Sequence, residues 1–150
     1  MPDGKRFVTV HADGMRLWSG GAAPEAKHLA LPNTAEDVFP LDDDRVVIWW
    51  RATADKAFSV WRLSDNSEIR SFGLSGGLAD GDARIGFDAA ALSADKAWVA
   101  AGRGNVLAVW TVDDGQLVKQ TEVDGGRLSA VEGSFAAGWV VAATYSEEVM

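Results

Sequence analysis

The sequence predicts an all-β fold assembled from a repeated antiparallel meander, and three observations carry the prediction. Trp18, Trp61 and Trp110 each close a short apolar run (GMRLW, AFSVW and NVLAVW), at Trp-to-Trp spacings of 43 and 49 residues. A hydrophobic unit recurring every forty-odd residues marks a repeat architecture. Short strand-like runs alternate with Asp/Gly/Asn turns, which is the signal for strands joined as hairpins. The runs VVIWW and WVVAA are apolar without interruption, as strands covered on both faces are.

Read in register, the chain holds four partial copies with approximate bounds 1–33, 34–78, 79–125 and 126–150. The first offers RFVTVH, GMRLW and KHLAL, lacking an opening strand. The second offers DVFPL, DRVVIWWR, AFSVWRL and EIRSFGL, with turns at Asp42-Asp43-Asp44, at 52–56 and at 64–67. The third offers RIGFDAAAL, AWVAAG, NVLAVWTV and QLVKQTEV, with turns at 93–96, at Arg103-Gly104 and at Asp113-Asp114-Gly115. The last has RLSAVEGSF and GWVVAATY. The expected strand count is therefore three, four, four and two.

Apolar inner strands combined with alternating fourth strands, EIRSF and LVKQTEV, fit sheets stacked radially, as in a β-propeller. There each inner strand is sealed on both faces by neighbouring blades, and the fourth strand is the outer edge.

From about Pro2 onward the chain resembles the WD-repeat β-propeller family. A turn of the type Ser-Pro-Asp-Gly-Lys before the second strand is matched by Met1-Pro2-Asp3-Gly4-Lys5, by 41–45 and by Ser93-Ala94-Asp95-Lys96. Asp55 stands six residues before Trp61 and Asp13 five before Trp18. A third strand ending in Trp and followed by an Asp/Asn-Gly turn is seen in Trp110 to Leu117. The repeats are degenerate. No Trp is followed by Asp, the Gly-His pair is missing, and Gly104 stands where the turn Asp of the third unit belongs. The family's His–Ser/Thr–Asp–Trp hydrogen-bond network therefore cannot form in full in any unit. Quinoprotein-type and lactonase-type propellers share the blade length and turn chemistry.

The resemblance implies an incomplete ring of about three to four blades. A WD-type ring usually holds roughly seven blades, near 300 residues, and the chain has 150. A blade is stabilised largely by its neighbours, and uncovered end faces would exceed the apolar patch a soluble monomer normally shows. The expectation is a segment of a larger propeller, with self-association through the open blade faces as the other route.

The net charge is −8. It argues against nucleic acid, whose binding needs clustered Lys and Arg, and against an anionic membrane surface. There is no cysteine, so thiolate metal sites and cysteine nucleophiles are excluded. MPDGKRFVTV carries no apolar signal core, and no stretch approaches 18 apolar residues. A cytoplasmic protein is the expectation.

No catalytic residue, metal site or cofactor is expected. His11 and His28 lie in different strands without companions at ligand spacing. The segment Asp80-Gly81-Asp82-Ala83-Arg84 begins like a calcium loop, but Arg84 takes the third ligand place. Gly102-Arg103-Gly104 lies between strands, where no helix N-terminus holds phosphate. Trp18, Trp61 and Trp110 are expected to pack in third strands, and Trp98 and Trp139 in second strands. Trp50 ends its strand beside a turn and is a candidate for exposure.

In WD propellers the partner face bears the turns between strands two and three and the connections between blades. Carried over, these positions are Trp50, Arg51, Arg103 and Tyr145, with Arg84 and Arg127 opening equivalent first strands 43 residues apart. Arg, Trp and Tyr are the residues enriched at binding hot spots. The expected function is a non-catalytic protein–protein interaction scaffold that takes a protein or peptide partner through an acidic segment. The alternative is a fragment of an enzymatic propeller with its active site on other blades. A carbohydrate-binding sandwich would need alternating strands, which VVIWW is not.

Overall fold

The computed structural model describes residues 6–51, 55–74, 86–124, 127–134 and 139–145; in the last two segments Leu128 alone has a described side chain. Every regular element among them is a β-strand. The chain divides into two compact units, Met1–Arg51 with Lys56–Ser71, and Ala52–Asp55 with Phe72–Met150.

The first unit opens with β1 (Arg6–His11), β2 (Gly14–Ser19) and β3 (Ala26–Leu29), an antiparallel sheet in sequence order. Next come β4 (Ala35–Pro40), β5 (Arg45–Trp50), β6 (Phe58–Arg62) and β7 (Ser67–Phe72), again in sequence order. The turns hold because short polar side chains bond their own backbone. Asp42 Oδ1 accepts from the N–H groups of Asp44 and Arg45, while Leu41 N–H donates to Arg45 O and closes the β4–β5 hairpin. Asp44 carboxylate oxygens take the backbone N–H and the hydroxyl of Ser64, tying that hairpin to the β6–β7 turn.

Register decides which faces meet. Directly opposed residues of an antiparallel pair share a face, and neighbours along a strand alternate. Val8 faces Leu17, Val10 faces Met15 and Met15 faces Leu29, so all five share one side of the first sheet. That side packs on Ala35, Val46, Ile48, Trp50 and Trp61 of the second sheet. Met15, Leu29, Val46 and Ile48 are sealed from solvent; each such side chain contributes about 1.5–3 kcal/mol of transfer free energy. Val47, on the other side of β5, is also fully buried and Trp49 nearly so. The uninterrupted apolar run thus marks a strand covered on both faces, as expected.

The second unit holds β8 (Ala89–Leu92), β9 (Trp98–Arg103), β10 (Val106–Thr111) and β11 (Leu117–Glu122) in one antiparallel sheet. A two-stranded sheet of β12 (Arg127–Ser134) and β13 (Trp139–Tyr145) follows, with β12 beside β8 and β9. Ala89, Ala100, Leu107 and Val109 share a core with Leu128. Trp110, fully buried, meets Phe72 and Phe87 at ring-centroid distances of 6.2 and 5.6 Å.

The described strands number three, four, four and two per sheet, the count read from the sequence. One strand departs from its pattern. β11 was expected to alternate as a half-covered edge, yet Leu117 and Val118 are both exposed, at 46% and 51%. It is the last strand of its sheet among the described residues, and the exposure of two consecutive residues shows both of its faces open at its start.

Candidate rim for partner binding

Of the six candidate rim positions, the structure describes the side chains of three. Arg84 lies outside the described residues. Arg127 and Tyr145 oppose each other in the β12–β13 ladder, and their side chains lie outside the description.

Trp50 is a correction. Its ring is 4% exposed, inside the core between the first and second sheets, edge-on to Trp61 at 6.1 Å. It offers partners no indole face. The cause lies in register: Trp50 opposes Ala35 and shares a face with Ile48 and Val46, so the alternation that buries those residues buries it too. A turn beside a strand end does not expose the last residue; the alternation of the strand decides its face.

Arg51 and Arg103 fare differently. Each stands at the end of a second strand and is held by a carboxylate from the first-strand side of its own sheet. Arg51 Nε donates to Glu36 Oε2 at 2.7 Å, with the Arg51 side chain 61% exposed. Its backbone N–H donates to Thr34 O. Arg103 Nη1 donates to Gly86 O at 2.9 Å and to Asp88 Oδ1 at 3.1 Å. A guanidinium has five donors in a fixed fork, so one carboxylate positions the group without exhausting it. Exposed pairs of this kind add little to stability, a median of about 0–1 kcal/mol. Their consequence is geometric: each guanidinium is fixed near the end of the second strand of its own four-stranded sheet.

The two histidines serve local structure. His28 Nε2 lies 3.0 Å from Asp13 O, and His11 Nε2 lies 2.8 Å from Thr9 Oγ1. Among the described residues no group of three His, Cys, Asp or Glu side chains could hold a metal ion.

No protein-family profile matches the chain, and no curated protein matches it by sequence. Solved structures do match. The WD40 β-propeller domain of Doa1 superposes with a TM-score of 0.67 at 11% sequence identity, covering 93% of this chain and 44% of that one. The fold is that of a partial WD40 propeller. At that identity the likeness shows architecture alone, and the chain spans less than half the length of the propeller it matches. With the fold settled, the sheets are blades of about three-blade extent; Val46 opposes Trp61 and Val99 opposes Trp110, so Arg103 stands where the preceding blade has Trp50, and Arg51 lies one position further along.

Sequence reasoning missed the polar partners of the tryptophans. Trp18 Nε1 donates to Thr9 Oγ1 at 2.9 Å, Trp50 Nε1 to Ser59 Oγ at 2.8 Å, Trp61 Nε1 to Asn66 Oδ1 at 2.9 Å and Trp110 Nε1 to Gly73 O at 3.1 Å. Only Ser59 carried a signal, as a hydroxyl inside the apolar run AFSVW that must find a bond when buried.

Proposed function

We propose that this chain is a non-catalytic interaction scaffold of WD-repeat type, part of a larger propeller assembly, taking a protein or peptide through an acidic segment. The observation that carries the reading is that Arg51 and Arg103, each within its own unit, are braced near the end of a second strand. In two successive blades an arginine ends the second strand and is braced by an acid of its own sheet. Bracing lowers the entropy lost when the guanidinium meets a partner carboxylate, because less side-chain freedom remains to be removed. On a chain of net charge −8, the donors that each arginine leaves free of its acid favour an acidic partner locally, and charge complementarity acts mainly on specificity and association rate. The WD40 fold, which serves elsewhere as a rigid platform, supports the scaffold role.

The test is an array of acidic peptides probed with the labelled chain, followed by titration of the best binder. Arg51→Glu with Arg103→Glu should abolish capture with circular dichroism unchanged, and binding should weaken as salt rises. Capture by the double variant at wild-type strength would remove these two arginines from consideration.

A further inference from the structure

We infer that the face of the second sheet bearing Trp49 binds an enclosed water molecule, which accepts from Trp49 Nε1 and donates to the Asp37 carboxylate. The inference stands on this sheet alone and is independent of the role proposed for the arginines.

Four other indoles find acceptors within the fold: Trp18 bonds Thr9, Trp50 bonds Ser59, Trp61 bonds Asn66 and Trp110 bonds the Gly73 carbonyl. Trp49 is the exception. Its Nε1 is sealed from solvent, and no acceptor among the described residues takes its proton. The residue as a whole is 8% exposed. In the unfolded chain that N–H is bonded to water, so burying it with nothing in exchange forfeits a bond. Buried polar groups are overwhelmingly paired, with protein or with ordered water.

Register places an acid on the same face. Trp49 opposes Asp37 in β4 and Phe58 in β6, and directly opposed residues share a face. Further along that face Val47 opposes Phe39 and Val60, none of which carries a hydrogen-bonding side chain. Asp37 does. Its Oδ1 accepts from the Val38 N–H at 2.8 Å, and a carboxylate accepts through two oxygens, so Oδ2 remains to take a proton. Opposed Cβ atoms of an antiparallel pair stand about 4.5–5.5 Å apart, near enough for one water to reach both side chains.

The β4–β5 ladder is interrupted at the same place. Its register shifts between Ala35 and Asp37, which leaves Glu36 as the extra residue. A bulge locally disrupts the direct pairing of two strands, and a bridging water restores a link across it. Glu36 is the residue whose Oε2 takes the Arg51 Nε proton, so the bridge steadies the strand from which that brace reaches.

Size and donor chemistry select the occupant. A partner's side chain cannot reach a donor that is sealed from solvent, and further covering of the sheet only deepens its burial. A metal ion has no use for an indole N–H, which donates and cannot accept. Water both accepts and donates, and bridging in this way is nearly as favourable as a direct bond.

The test is a water-selective rotating-frame NOE experiment on the uniformly isotope-labelled chain. Trp49 Hε1 should show a direct cross-peak to a water that tumbles with the protein. Trp110 Hε1, bonded to a backbone carbonyl, should show none. Asp37→Ala removes one end of the bridge at an exposed position and should abolish the Trp49 cross-peak with the other indole shifts unchanged. Asp37→Asn retains an acceptor oxygen and should keep it, and serves if Asp37→Ala fails to fold. A wild type without the cross-peak at Trp49 overturns the inference, as does a cross-peak undiminished in Asp37→Ala or lost in a folded Asp37→Asn.

Discussion

Trp50 Nε1 donates to Ser59 Oγ at 2.8 Å, and both residues are buried within the second sheet. Ser59 in turn donates its hydroxyl to Glu68 Oε2 at 2.7 Å, and Lys56 Nζ lies 3.4 Å from Glu68 Oε1. One serine thus links an indole in β5 to a carboxylate in β7 across the strand between them. The WD-repeat resemblance implies a network built on the third-strand tryptophan. Here the second-strand tryptophan carries the chain of bonds, and third-strand Trp61 turns to Asn66 instead.

Removing the hydroxyl should expose the value of that link. Ser59→Ala leaves a buried indole N–H without its acceptor, for a loss of about 1–3 kcal/mol. Trp50→Phe in the Ser59→Ala background should recover part of it, because both polar groups are then gone. Urea unfolding of the two single variants and the double variant measures the coupling. Strictly additive losses would show that the bond contributes nothing.

Asn66 joins two elements far apart in sequence. Its Oδ1 accepts from Trp61 Nε1, its Nδ2 donates to Ala30 O at 2.9 Å, and its φ is 54°. Asn66→Ala removes both bonds and places a Cβ residue less suited to the left-handed region, for a loss of about 2 kcal/mol. Asn66→Gly removes the bonds without the backbone strain, so it should unfold at higher urea than Asn66→Ala. Equal midpoints would show that the backbone conformation is immaterial.

The strand order was readable because burial on both faces leaves a compositional trace: Val46, Val47, Ile48, Trp49 and Trp50 have no polar residue among them, and all five are buried. Turns were readable from Asp42, whose carboxylate bonds the backbone beside it, and from Gly115, which takes a φ of 69° without steric cost. The place of Trp50 was not, since it depends on which residue of β4 opposes it, and the β4–β5 register shifts between Ala35 and Asp37. Nor was the acceptor of Trp110, a backbone carbonyl 37 positions away. For the arginines, sequence gave the strand end but could not show that Glu36 and Asp88 brace them, because each acid lies 15 residues before its arginine.

Acid should loosen the turns before the cores. The Ser93 hydroxyl and the Ala97 N–H hold the Asp95 carboxyl below the usual carboxylate range, and the Ser67 hydroxyl with Arg62 does the same for Asp65. Burial pushes Asp42 up, but bonds from the Arg45 side chain and from the N–H groups of Asp44 and Arg45 outweigh it and bring the value down. A carboxyl depressed in the folded state contributes stability above its unfolded value, about 3.9, and loses it as pH falls through the folded value. Thermal melts should therefore be flat from neutrality to about pH 5 and fall below about pH 4. Asp42→Asn should lower the neutral plateau and shrink the acid drop; an undiminished drop would clear Asp42 of any part in it.

Gly115 and Gly104 both take left-handed backbone, with φ of 69° and 56°, yet they should respond unequally to a side chain. A Cβ at Gly104 would meet nothing within 4 Å, whereas at Gly115 it would stand 3.0 Å from Phe72 Cβ and 3.2 Å from the ring. Gly104→Ala then carries only the conformational penalty, about 1–2 kcal/mol. Gly115→Ala adds a clash with the residue that packs on Trp110, and Phe72 cannot retreat freely because its ring is 6% exposed. Gly115→Ala should therefore lower the melting temperature further and perturb the near-ultraviolet circular dichroism of the tryptophans, while Gly104→Ala leaves that spectrum intact. Equal losses with unchanged spectra would mean that Phe72 gives way without strain, and that the contact does not fix the position of Trp110.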